Sequence, residues 1–166
     1  NVIVADAENL PFPDTTFDYV LAWGCLMHTP DTQKAINEVF RVLKSSGHFG
    51  TMMYNKYSLH WMYYIVFGKG ILKLQFLKYK LQELTNRYTD GAEIGGNMLT
   101  KFYSTAQIKE MYSKFKDLQV SIHDSDDMFD YFPHRWLPLG KLMPRFIKHW
   151  IAEHLGLDFW ITGVKT

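Results

Sequence analysis

The sequence predicts an α/β fold built on an open, mostly parallel sheet. Three observations predict it. Val2–Ala5 and Tyr19–Trp23 are short, continuous apolar runs, the pattern of strands covered on both faces. A helix-periodic stretch separates the second run from a third, His48–Tyr54. The first run ends in an acidic turn, Asp6-Ala7-Glu8, and open sheets of this class place ligand-binding groups at the carboxyl ends of their strands.

The elements follow in order. Leu10-Pro11-Phe12-Pro13 is excluded from helix, because each proline lacks an N–H and restricts the residue before it. Thr29 reads as an N-cap with Pro30 at the first helical position; Ile36, Val39, Phe40 and Leu43 recur at helical spacing, and Gly47 closes the helix. From Tyr57 to Arg87 the pattern is helical but irregular, its apolar stripe broken by Gly68 and Gly70. Three glycines between Asp90 and Gly96 mark a loop. Ser104-Thr-Ala-Gln107 is a capping-box signature ahead of Ile108, Met111, Tyr112 and Phe115. Leu118, Val120 and Ile122 alternate as a strand. Pro133 and Pro138 break the chain, Phe146 to Leu155 stripe a last helix that Gly156 ends, and Asp158–Lys165 forms the final strand.

The chain has 166 residues, enough for one real core. A net charge of +1 disfavours bulk nucleic-acid binding by charge. One cysteine, Cys25, excludes an internal disulfide framework and fits a reducing cytoplasm. Five Trp, ten Tyr and twelve Phe, many of them after residue 57, predict a large apolar surface or pocket in the second half. The most apolar run, Leu59–Phe67, is far shorter than a membrane span. The first residue is Asn, one position ahead of a strand, so the chain is expected to be truncated at its start.

Four stretches together carry a family likeness: Val4-Ala-Asp6-Ala7-Glu8-Asn-Leu10-Pro11-Phe12, Phe17-Asp18-Tyr-Val, Leu26-Met27-His28, and Asn37-Glu38-Val-Phe-Arg41-Val-Leu43-Lys44. They resemble class I S-adenosylmethionine-dependent methyltransferases, in particular the small-molecule enzymes that include those of quinone biosynthesis. The resemblance implies a Rossmann-like methyltransferase sheet lacking its first two strands, with a helical insertion or lid. It divides the chain into the later half of a cofactor-binding core (1–56), a helical insertion with a Gly-rich loop (57–103), and the closing helices and strands of the core (104–166). S-adenosylmethionine is then the cofactor. Methyl transfer to the oxygen or carbon of a small, apolar or aromatic acceptor is the activity, with cofactor binding impaired in this fragment. The family's glycine-rich turn and its ribose-binding acidic residue have no counterpart here. Lys44-Ser45-Ser46-Gly47 stands where the family commonly has Lys-Pro-Gly-Gly.

The same likeness assigns roles. Asp6 would accept from the adenine amino group, a job suited to a charged acceptor facing a donor-only amine, and the Ala7 N–H would meet the ring. Ala22 and Trp23 would meet the cofactor's amino-acid portion. Leu26 and His28 would line the path to the acceptor, with His28 able to take its proton. Asn97 and Tyr103 are candidate substrate contacts. Each role has a plainer rival: Asp6 as a turn cap, Trp23 as a core aromatic, His28 as a pocket wall, Cys25 as a packed small residue. Tyr57–Lys80 fits either a core-covering helix or a substrate lid. Its lysines fit a solvated face or, less favoured, peripheral contact with anionic lipid. His123, Asp124, Asp126 and Asp127 have the composition of metal ligands, but a strand-end acidic turn explains them without a metal. The alternative to an enzyme is a non-catalytic module that binds a protein partner or membrane surface through its aromatic half.

Overall fold

The computed structural model describes residues 2–90, 98–124 and 139–166. Its frame is a five-stranded sheet. β1 (Phe17–Trp23) pairs in parallel with β2 (Leu43–Asn55), and β2 pairs antiparallel with β5 (Asp158–Val164). β5 in turn pairs antiparallel with β4 (Lys116–His123), giving the order β1-β2-β5-β4. The two-residue β3 (Phe102–Tyr103) adds in parallel to the end of β2.

Register sorts the side chains. Ala22, Thr51, Ile161 and Val120 lie directly across from one another, as do Trp23, Met52, Trp160 and Ser121 one residue later. Successive residues point to opposite faces, so the two rows face opposite ways. The first row looks into the core, where α1 (Thr32–Val42) and α3 (Thr105–Met111) contribute Ile36, Val39 and Ile108. Phe49 stacks on Tyr112 and packs against Phe115 there, and the Tyr112 and Thr51 hydroxyls share a buried hydrogen bond of 2.9 Å. On the other face Tyr19, Leu21, Trp23 and Trp160 remain exposed.

The predicted strand Val2–Ala5 does not form. The segment is exposed and has no ladder partner among the described residues, and a strand without a neighbour leaves its backbone groups to water. The helix start also differs from the expectation. Leu26–His28 forms a short 3-10 turn whose Leu26 carbonyl accepts from the Thr29 hydroxyl, so Thr29 is occupied upstream. Asp31 is the N-cap instead, its carboxylate accepting from Lys34 N–H at 3.0 Å. Gly47 does not close the helix, because Leu43 turns extended and α1 runs directly into β2. Left-handed backbone falls on Ser46 (φ +62°). Gly47 is kept bare by the Lys44 and Asp18 carbonyls, which leave no room for a Cβ.

Arg41 ties the proline-rich segment to α1. Its guanidinium donates to the carbonyls of Leu10 and Phe12 and to the carboxylates of Asp14 and Glu38, and holds the Glu38 carboxyl below the usual range. Glu38 in turn accepts from Leu10 N–H at 2.8 Å.

The expected irregular helix after Tyr57 resolves into a π-helix over His60–Leu72, a 3-10 turn over Gln75–Leu77, and α2 (Leu81–Tyr88). Ile65 and Leu84 are buried, the Trp61 indole donates to Thr85, and Phe76 closes over Gly70 where a Cβ would not fit. Hydrogen bonds from Gln82 to the Thr100 carbonyl and from Thr100 N–H to Asn86 fasten this helical unit to the strand that follows. Ser104 and Gln107 form the expected capping box on α3, and Gly156 ends α4 (Arg145–Leu155).

Candidate functional site

The carboxyl ends of β1 and β2 converge on a polar cluster. β1 ends at Trp23, and Gly24 (φ +66°) turns the chain in a conformation that favours glycine. The turn leads into Leu26-Met27-His28. β2 ends at Tyr54-Asn55, where Asn55 is buried, donating to the Gly156 carbonyl and accepting from Tyr57 N–H. Lys101 N–H donates to the Met27 carbonyl and Lys56 N–H to the Tyr103 carbonyl, so the 98–103 segment lies across both strand ends.

His28 is the centre of the cluster. Its Nδ1 lies 2.7 Å from the Leu99 carbonyl oxygen. A carbonyl only accepts, so Nδ1 carries the hydrogen and Nε2 is left to take a proton. Nε2 faces Asp90 Oδ2 at 3.5 Å, and the Tyr54 hydroxyl donates to Asp90 Oδ1 at 2.9 Å. Burial, then the hydrogen bond to Asp90 and the charges of Asp90 and Asp158, push the Tyr54 phenol well above its usual range, so it stays a donor. His60 sits nearby, its Nε2 donating to the Tyr88 carbonyl at 3.3 Å, and burial lowers its pKa and favours the neutral ring. A chain of donor, carboxylate and imidazole of this kind is suited to accepting one proton and stabilising the cation that results.

The other candidates divide. The Asp6 carboxylate accepts from Glu8 N–H at 2.9 Å and its carbonyl accepts from Asn9 N–H, so it caps its own turn, yet the side chain is exposed. Glu8 accepts from Asp31 N–H, which brings this turn to the start of α1, three residues after His28. Ala7 packs at the edge of the core. Ala22 is buried; Trp23 is half exposed and meets Trp160 edge-on at 5.1 Å, so it is no core aromatic. Two candidates are engaged in packing. The Leu26 side chain is buried in the core and its carbonyl serves Thr29. Tyr103 is buried, its hydroxyl donating to Thr32 at 2.8 Å, and it holds the 98–103 segment to α1. Cys25 is exposed, not packed. Asn97, the glycines of 91–96, Asp126 and Asp127 lie outside the described residues. Sequence reasoning missed Asp90, Tyr54 and His60, since no local pattern links positions so far apart. The one available signal was Asp90 at the head of a glycine-rich loop.

Asp6 offers an exposed carboxylate at its turn, and Trp23 ends β1 just before Gly24.

Comparison with known proteins shows what this chain is similar to. Residues 1–51 match the family model of a methyltransferase domain. The ubiquinone/menaquinone biosynthesis C-methyltransferase of Rickettsia prowazekii is 34% identical over 124 residues, covering 74% of this chain and 44% of that protein. A 2-methyl-6-phytyl-1,4-hydroquinone methyltransferase of Oryza sativa is 47% identical over 47 residues, 28% of this chain and 14% of that protein. The chain thus spans less than half the length of these relatives. Among solved structures, a SAM-dependent methyltransferase of Thermotoga maritima, described as a possible histamine N-methyltransferase, superposes with a TM-score of 0.55 at 18% identity, covering 98% of this chain and 62% of that one. Residues 1–51 thus carry the sequence of a methyltransferase domain, and the chain as a whole is similar in fold to a SAM-dependent methyltransferase.

Proposed function

We propose that the protein transfers a methyl group from S-adenosylmethionine to a small, apolar or aromatic acceptor through an oxygen or carbon nucleophile. The observation that carries this reading is the placement of His28, Asp90 and Tyr54 at the strand ends that follow the methyltransferase-type sequence. The quinone-type acceptors named for two of the relatives support the acceptor class.

S-adenosylmethionine supplies an electrophilic methyl group on a sulfonium. Asp6 and Ala7 would hold its adenine end, and Ala22 and Trp23 its amino-acid end. Of this chain's own residues, His28 would take the proton that the acceptor gives up. Asp90 stabilises the imidazolium, and Tyr54 fixes the carboxylate. Orientation supplies much of the rate in methyl transfer of this kind. The helical unit of residues 57–90 serves as the lid over the acceptor, which the aromatic side chains of that unit suit.

Calorimetric titration of S-adenosylhomocysteine tests the cofactor half. Into a form extended to the relatives' full length, heat of binding is expected; into the 166-residue chain, little or none. No heat from the longer form at millimolar ligand ends the reading. For the proton, His28→Gln in the longer form is expected to lower kcat about 100-fold or more while leaving S-adenosylhomocysteine affinity in place. It also flattens the rise of rate with pH. An unchanged pH profile would remove His28 from the chemistry and leave it a wall of the pocket.

A further inference from the structure

From Tyr57 to Gln82 the chain carries Lys69, Lys73, Lys78 and Lys80 and not one Asp or Glu, although charge is balanced to +1 over the whole molecule. The same segment exposes large apolar side chains at its tip: Ile71 and Leu72 at the end of the π-helix, Leu74, and Leu77, which is 86% exposed. Leu74 holds a left-handed backbone (φ +53°), a conformation costly for a leucine, and it sets off the 3-10 turn Gln75–Leu77. The tip is therefore an apolar knuckle flanked by Lys73 and Lys78. Phe76, itself partly exposed, is turned back against Gly70. Lys69 lies over the rings of Tyr64 and Tyr88, and Lys78 over Tyr79, which keeps cations beside the apolar surface.

We propose that this knuckle docks on an anionic membrane surface, with Leu72, Leu74 and Leu77 entering the headgroup boundary and the lysines pairing with lipid phosphates. The proposal stands independently of the methyl-transfer reading. No helix among the described residues is long and apolar enough to cross a membrane, so attachment would be peripheral. The complementarity is specific. Water leaves the exposed leucines uncompensated, and a protein partner or nucleic acid would need the knuckle to match one shape. A fluid anionic interface accepts apolar side chains and cations side by side.

Co-sedimentation of the 166-residue chain with vesicles provides the test. Binding is expected to vesicles of phosphatidylcholine with about 30% phosphatidylglycerol, and to weaken strongly in 0.5 M salt. Vesicles of phosphatidylcholine alone should bind at least tenfold more weakly. Combined Leu72→Ser, Leu74→Ser and Leu77→Ser substitutions, at exposed positions, are expected to cost more than tenfold in binding with the circular dichroism unchanged. Lys73→Gln with Lys78→Gln, which leaves the apolar knuckle intact, should cost roughly fivefold for each lysine removed. Equal binding to neutral and anionic vesicles, or wild-type binding by both variants, overturns the proposal. So does a serine variant whose only change is loss of self-association in sedimentation velocity, since a second copy would then be what covers the knuckle.

Discussion

At the residue scale, the polar atoms inside the fold make measurable claims. Burial, followed by the charges of Asp124 and Asp90, pushes the Asp158 carboxyl up to about 6, and its Oδ1 has no hydrogen-bond partner among the described residues. An aspartate in the unfolded chain titrates near 3.9. Between about pH 4 and 6 the native state therefore keeps a proton that the unfolded state has released, and stability falls as pH rises through that window. Asp158→Asn should raise stability by about 1–2 kcal/mol at pH 7, a figure reduced for partial exposure, and by little below pH 4. Urea denaturation at the two pH values checks it; an equal gain at both would place the effect elsewhere. Tyr112 points the other way. Replacing it with Phe strips the Thr51 hydroxyl of its buried partner, for an expected loss of about 1–3 kcal/mol in the same assay. At Ser46 a gain is expected: Gly fits the left-handed backbone better, and Ser46→Gly should stabilise by up to about 1 kcal/mol.

At the element scale, what was legible in the sequence depended on how local the determinant was. The Ser104–Gln107 capping box was readable because both halves lie within one helical turn. The β4 and β5 strands were readable because alternation survives in Leu118, Val120 and Ile122 and apolar content in Phe159–Ile161. The α1 start was misassigned from Thr29 to Asp31, since a 3-10 turn ahead of the helix consumed the threonine hydroxyl. Asp31→Ala should cost about 1 kcal/mol of stability and Thr29→Ala less. The site was legible only in part. His28, Asp6 and Trp23 stand in a recognisable motif, whereas Asp90 and Leu99 reach His28 across 62 and 71 positions and no pattern announces the meeting. The burial of Leu26 and Tyr103 was not legible either: spacing gives a position along the chain but not the direction in which a side chain is used.

At the scale of the whole molecule, the described sheet is covered well on one face only. Tyr19, Leu21, Trp23 and Trp160 stand open on the other, beside the unpaired edge of β1. Open edges next to apolar surface favour self-association. The isolated chain should therefore sediment as a concentration-dependent mixture, shifted toward monomer by Leu21→Lys; a strictly monomeric wild type at high concentration would count against this account of the exposed face. The final strand, meanwhile, lies second from the far edge, between β2 and β4. Lys165 is stitched to the beginning of β2, its backbone exchanging hydrogen bonds with Ser46 and Gly47 and its ammonium donating to the Leu43 carbonyl. During synthesis β4 thus emerges from the ribosome before the strand that will hold it exists. It must wait unpaired until residues 158–164 clear the exit tunnel, and a stop codon placed just before Asp158 would strand it permanently.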